Sequence, residues 1–316
     1  MNIELRGIAA PGGWPAPDCR CASCARLRAA GVRYEPAAQD RILLDGVPLA
    51  DRPCTDVPGG YEARGPRGRR VLVAAGPGAR PEPADGVEYD AVLLDMAGSP
   101  EHLGYLRHIG AVTSRTDVLA VHVDHRVPSP AELERRMAFW RRPQDGPHRT
   151  LLLGGTRSGK SAEAELRLAA CPEVRYVATG PAGGDPEWRE RVAAHRSRRP
   201  AWWETAETTD LAGVLASATG AVLVDGIGTW LAAAMDDTAA WDDPSRVRPR
   251  LDELVAAWRG TRARVVAVSE EVGLSLVPVT PSGRAFGDVL GRLNQRLAAE
   301  SEEAALVVAG RVMELP

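Results

Sequence analysis

Lysine is almost absent from this 316-residue chain: of its 39 Lys and Arg residues only Lys160 is lysine. A position that keeps a compact, flexible ammonium, in a chain that otherwise uses guanidinium, is singled out for a contact that a planar fork cannot make. No apolar run approaches the roughly 18–20 residues of a membrane span, and the start MNIELRGIAA lacks the basic-then-apolar order of a secretory leader. A cytoplasmic protein is therefore expected. A broad basic field is missing too: the formal net charge of −3 argues against nucleic acid as a partner and leaves small phosphate ligands held at local sites. The five cysteines are an odd number, and Cys19, Cys21 and Cys24 stand too close together for a disulfide framework, which makes that cluster a metal question.

What is present is enough for two domains. With 44% apolar and 26% charged residues the chain can bury two cores. The stretch RRPQDGPHR at Arg141–Arg149 combines proline, glycine and charge, and places a boundary that divides the chain into 1–145 and 146–316. After it, apolar runs at Thr150–Leu153, Val174–Thr179, Ala221–Asp225, Val265–Ser269 and Ala304–Val308 alternate with helical spacing at Ser161–Ala170, Glu187–Arg198, Arg246–Arg259 and Arg284–Glu300. Such alternation predicts an α/β fold, a mostly parallel sheet with helices on both faces and ligands at the carboxyl ends of its strands. Before the boundary, Asn2–Arg6, Arg41–Leu44, Val71–Ala75, Ala91–Leu94 and Val118–Val123 read as strands, Ser129–Trp140 as a helix, and residues 46–90 as mostly loop.

Gly154-Gly155-Thr156-Arg157-Ser158-Gly159-Lys160-Ser161 fits G-x-x-x-x-G-K-[ST] between an expected strand and an expected helix. Glycines let the backbone wrap a phosphate chain, and the helix N-terminus adds partial positive charge. Lys160 would reach the β and γ phosphates, and the Ser161 hydroxyl would ligate Mg²⁺. Asp225, ending an apolar strand, suits a carboxylate that supports the same ion. After Arg149 the only histidine is His195, set among arginines in RVAAHRSRR. By itself that setting reads first as a solvated helix face, though the neighbouring cations would also lower the pKa of a neutral imidazole nucleophile and attract a triphosphate.

GGTRSGKS, RVAAHRSRRPAWWETAE, VLVDGIGTWL, EVGLSLVP and GRAFGDVLGRLNQRLA, in this order, resemble the bifunctional adenosylcobinamide kinase and adenosylcobinamide-phosphate guanylyltransferase family over roughly Arg149–Pro316. The resemblance implies a P-loop NTPase-like fold and two reactions. A nucleoside triphosphate, ATP or GTP, phosphorylates adenosylcobinamide; then GMP passes from GTP to the phosphate through a histidine–GMP intermediate, a role that falls on His195. It also implies site roles for Glu207, Glu271, Arg284 and Asp288, and a homo-oligomer, a trimer with sites between subunits. Where the family has Asn-Glu-Val-Gly this chain has Glu270-Glu271-Val272-Gly273, and Pro181–Trp188 is richer in proline and glycine than the family's acidic stretch. The competing functional class is a GTP-binding regulatory or assembly protein with a docking N-terminal domain, which would have no use for His195.

In the first half, three thiols at C-x-C-x-x-C spacing lack one ligand for tetrahedral Zn²⁺, and His122-Val-Asp-His125 offers it. The opening from Leu5 to Arg26 resembles metallo-β-lactamase-fold phosphodiesterases that carry an extra structural zinc. That resemblance implies a shortened α+β domain of this fold, with Cys19, Cys21, Cys24 and His125 as zinc ligands and His122 as a remnant of the catalytic centre. The hydrolytic signature H-x-H-x-D-H is absent, so a non-catalytic domain is expected.

Overall fold

The apolar runs that alternate along the second half of the chain become one seven-stranded sheet. In the computed structural model, which describes residues 2–142, 146–180, 199–274 and 277–316, its order is β11-β10-β12-β13-β9-β14-β15. The strands are β9 (His148–Gly154), β10 (Val174–Ala178), β11 (Glu204–Glu207), β12 (Ala221–Asp225), β13 (Arg264–Glu270), β14 (Glu303–Val308) and β15 (Arg311–Leu315). All neighbours pair in parallel except the final hairpin of β14 and β15. Strand residues alternate faces: Leu151, Leu153, Val222, Val224, Val265 and Ala267 join one core cluster with residues of the helices Leu211–Ser217 (α5), Ile227–Asp237 (α6), Arg248–Gly260 (α7) and Pro281–Ala299 (α8). Leu152, Leu223, Val266 and Val268 between them are buried as well, and α4 (Lys160–Leu168) lies against β9, β12 and β13. Burial on both faces is what makes these strands read as continuous apolar runs.

Contacts divide the chain into two compact units, residues 1–143 with 169–172, and residues 144–168 with 173–316. In the first, β1 (Ile3–Leu5), β2 (Ile42–Leu44) and β3 (Val47–Pro48) form an antiparallel sheet. A second sheet runs β4 (Cys54–Val57), β5 (Gly60–Arg64), β6 (Arg70–Ala74), β7 (Ala91–Leu94), β8 (Asp117–Ala120), antiparallel over β4–β6 and parallel over β6–β8. Ile42, Leu44 and Leu49 pack with Val71, Val73, Ala91 and Leu93 in one core cluster that draws on both sheets.

The structure departs from the expectations in particular places. Residues 46–90 carry the hairpin β4–β5, whose alternation is obscured by exposed polar residues. Helices α1 (Ala22–Ala29) and α2 (Glu101–His108) are short, and α1 shows almost no amphipathic stripe. The expected Ser129–Trp140 helix is α3 (Pro130–Trp140), with Ser129 as its N-cap accepting from the Glu132 amide. The helix expected over Glu187–Arg198, the segment Pro181–Trp188 and His195 fall outside the described residues.

Candidate active site

The phosphate loop is built where β9 meets α4. Gly154 closes the strand, Lys160 opens the helix, and Gly155, Thr156 and Arg157 face solvent. Gly159 has φ +99°, in the region that favours glycine, and an added Cβ would stand 3.2 Å from Gly310 Cα. Amide groups tie the loop down: Ser158 N–H donates to Gly155 O at 3.2 Å, Gly310 N–H to Ser158 O at 2.8 Å, and Glu271 N–H to Gly154 O at 3.2 Å.

Lys160 is 6% exposed; its Nζ donates to Gly155 O at 3.2 Å and lies 3.7 Å from Glu270 Oε1. The Ser161 hydroxyl donates to Asp225 Oδ1 at 3.1 Å, and the Tyr176 hydroxyl donates to Asp225 Oδ2. Burial first, and then the Asp225 charge, push the Tyr176 hydroxyl far above its ordinary pKa, so it stays a neutral donor. The Arg199 guanidinium stacks 3.5 Å from the Tyr176 ring centroid. A hydroxyl and a carboxylate held this close are hard oxygen donors of the kind Mg²⁺ takes.

These groups wall a cavity of about 380 Å³ at the carboxyl ends of the strands. Thr156, Lys160, Ser161 and Asp225, named from the sequence, line it. So do Tyr176, Arg199, Gly228, Glu270 and Phe286, which the sequence left unassigned; for Glu270 and Gly228 the signal is a position at or just past a parallel strand's end, whereas Tyr176 within β10, Arg199 ahead of β11 and Phe286 within α8 carry none. Glu207, Glu271, Arg284 and Asp288 are not among the lining residues. Glu207 ends β11 and is exposed. Glu271 accepts from Gly273 N–H at 2.9 Å, and Arg284 donates to Pro278 O and Val279 O. Asp288 is exposed on α8.

The first unit holds a different cluster. Ligand atoms of Cys19, Cys21, Cys24 and His125 all lie within 4.8 Å of one another, the one group of three or more Cys, His, Asp or Glu side chains among the described residues that could hold a metal. Cys21 caps α1, its sulfur accepting from the Cys24 amide at 3.5 Å; that bond is the main cause drawing the Cys21 thiol down, while burial pushes Cys24 up to about 11. Three thiols and an imidazole suit Zn²⁺. His122 is buried, its Nε2 3.0 Å from Ala74 O. Fully buried Asp95, just past β7, accepts from Gly78 N–H, Gly98 N–H and the Arg126 guanidinium at 2.8–3.2 Å.

Residues 150–315 match the family model described as cobinamide kinase / cobinamide phosphate guanyltransferase. The chain belongs to this family. The bifunctional adenosylcobalamin biosynthesis protein CobU of Salmonella typhimurium is 38% identical over 173 residues, which cover 51% of this chain and 95% of the relative. CobP of Pseudomonas aeruginosa, of the same description, is 40% identical over 53% of this chain and 96% of its own length. CobU of Escherichia coli is 34% identical over 51% and 95%. The family match thus takes in the phosphate loop, Asp225, the cavity and the His195 segment, and leaves residues 1–149 outside.

Proposed function

We propose that this chain phosphorylates adenosylcobinamide with a nucleoside triphosphate and then guanylylates the product, giving adenosylcobinamide-GDP. The observation that carries the reading is the strand-end cavity in which Lys160, Ser161 and Asp225 converge, inside the segment that matches the family. In the first step the substrate's hydroxyl oxygen attacks the γ-phosphorus, and the nucleoside diphosphate leaves. In the second, a neutral His195 imidazole attacks the α-phosphorus of GTP and pyrophosphate leaves; a phosphate oxygen of the phosphorylated substrate then displaces the imidazole from the GMP. Lys160 holds the polyphosphate, and the Tyr176–Asp225 bond keeps the carboxylate turned toward Ser161. Bound Mg²⁺, with Ser161 and Asp225 as its ligands, would neutralise charge on the phosphates.

The exposed apolar residues Leu274, Val277 and Val279, 75%, 79% and 92% accessible, support a homo-oligomer of the trimeric kind the family resemblance implies. For the first unit, the reading is a shortened metallo-β-lactamase-like domain that binds Zn²⁺ at Cys19, Cys21, Cys24 and His125 and hydrolyses nothing. What supports the zinc reading is the thiol–imidazole cluster, and what supports the absence of hydrolysis is the missing H-x-H-x-D-H signature.

The test of the main reading is incubation with GTP labelled at the α-phosphate, followed by denaturing electrophoresis. Acid-labile label is expected on the wild type and not on His195→Ala. Equal labelling of both proteins would sink the assignment.

A further inference from the structure

Glu270 is the last residue of β13. Its backbone is clamped: the carbonyl accepts from Asn294 Nδ2 at 3.0 Å, and Asn294 Oδ1 accepts from buried Ser269 Oγ at 2.6 Å. The carboxylate therefore has a defined place. One oxygen, Oε1, lies 3.7 Å from Lys160 Nζ, and the other, Oε2, accepts from Gly228 N–H at 3.1 Å.

Gly228 sits in the first turn of α6, an eleven-residue helix whose N-cap, Gly226, provides no side-chain cap. Glu270 thus caps α6 from across the sheet, at the end where the helix dipole favours an anion. Glycine leaves room for this seat: a Cβ on Gly228 would stand 2.2 Å from Glu270 Oε2 and would push the carboxylate aside. A single carboxylate therefore satisfies both the loop ammonium and a helix amino end, two donors that in a phosphate site would otherwise meet a phosphoryl group.

We infer that Glu270 is the residue that sets the phosphate affinity of this cavity: its carboxylate occupies a phosphoryl position between Lys160 and the amino end of α6, and a nucleoside polyphosphate binds by displacing it. The inference rests on the phosphate-loop reading of the same cavity. Lys160 must exchange one anion for another, and the displaced carboxylate, a third exposed at its side chain, has solvent to turn into. An amide at this position would still accept from Gly228 N–H but would neither hold the ammonium nor repel the incoming charge.

The test is calorimetric titration of the full chain with inorganic pyrophosphate and, separately, with GTP and Mg²⁺, for the wild type, Glu270→Gln, Glu270→Asn and Lys160→Met. Both Glu270 variants are expected to bind both ligands about tenfold more tightly, as loss of one nearby like charge allows. Thermal melting checks that each variant is folded, and either amide variant suffices. Affinity equal to or below wild type in a folded Glu270 variant, with Lys160→Met weakened, overturns the inference and leaves the phosphate loop standing. Undiminished binding by Lys160→Met overturns both.

Discussion

At the scale of single residues, the chemistry depends on which group each charged side chain faces. Lys160 faces both Gly155 O and Glu270, and Asp225 faces both Ser161 and Tyr176. Rarity and the G-x-x-x-x-G-K-[ST] spacing both single out Lys160; its second partner was not legible, because a side chain 110 residues away in the chain becomes a neighbour only when β9 and β13 pair in parallel. The cysteine cluster is the opposite case: three of its four candidate ligands lie within six residues, so spacing pointed to them, the resemblance named His125 as the fourth, and the fold brings its ring to the thiols. Cys24→Ser is expected to lower bound zinc from about one equivalent toward zero, measured by elemental analysis of chelator-free protein, and to destabilise the first unit. Wild-type protein without zinc would refute the metal assignment.

At the scale of elements, Arg149 at the start of β9 fastens that strand to the end of α7 and the approach to β14. Its guanidinium donates to Arg259 O at 2.8 Å and pairs with Glu302, and its amide donates to Glu302 Oε2 at 2.6 Å. The Arg149 guanidinium, bonded to the Glu302 carboxylate, is the main cause holding that carboxyl at about 2, below its usual 4.5. A lowered folded pKa means that the contribution is present above about pH 4.5 and is lost as pH falls toward 2. Glu302→Gln should therefore cost roughly 1 kcal/mol or less at pH 7, the pair being partly exposed, and nothing near pH 2. Urea unfolding of both proteins at several pH values checks this; a constant difference down to pH 2 would refute it. Most strands of the parallel sheet were legible because both faces are apolar. The hairpin β4–β5 and the short α1 and α2 were not, since exposed polar faces and lengths of four to eight residues leave little periodicity to read.

At the scale of the whole molecule, each unit has its own core and its own candidate ligand, one a thiol–imidazole metal cluster and the other a phosphate cavity. Differential scanning calorimetry of the full chain is expected to show GTP with Mg²⁺ raising the melting temperature of the second unit, the linkage stabilisation being about 2.7 kcal/mol at hundredfold excess over Kd. A strong chelator in Mg²⁺-free buffer is expected to lower only the melting of the first. A single transition that shifts with both additions would overturn this separation.

Local pattern carried the phosphate-loop motif, the family motifs, the alternation of apolar runs with helical segments and the cysteine triplet, because each depends on residues adjacent in the chain. The partnership of Glu270 with Lys160 and Gly228, the Tyr176–Arg199 stack, and the approach of His125, which the resemblance had named, to the cysteine thiols belong to the tertiary structure. They join residues from 23 to 110 positions apart, and only strand pairing and core packing bring such atoms within hydrogen-bonding or ligating distance.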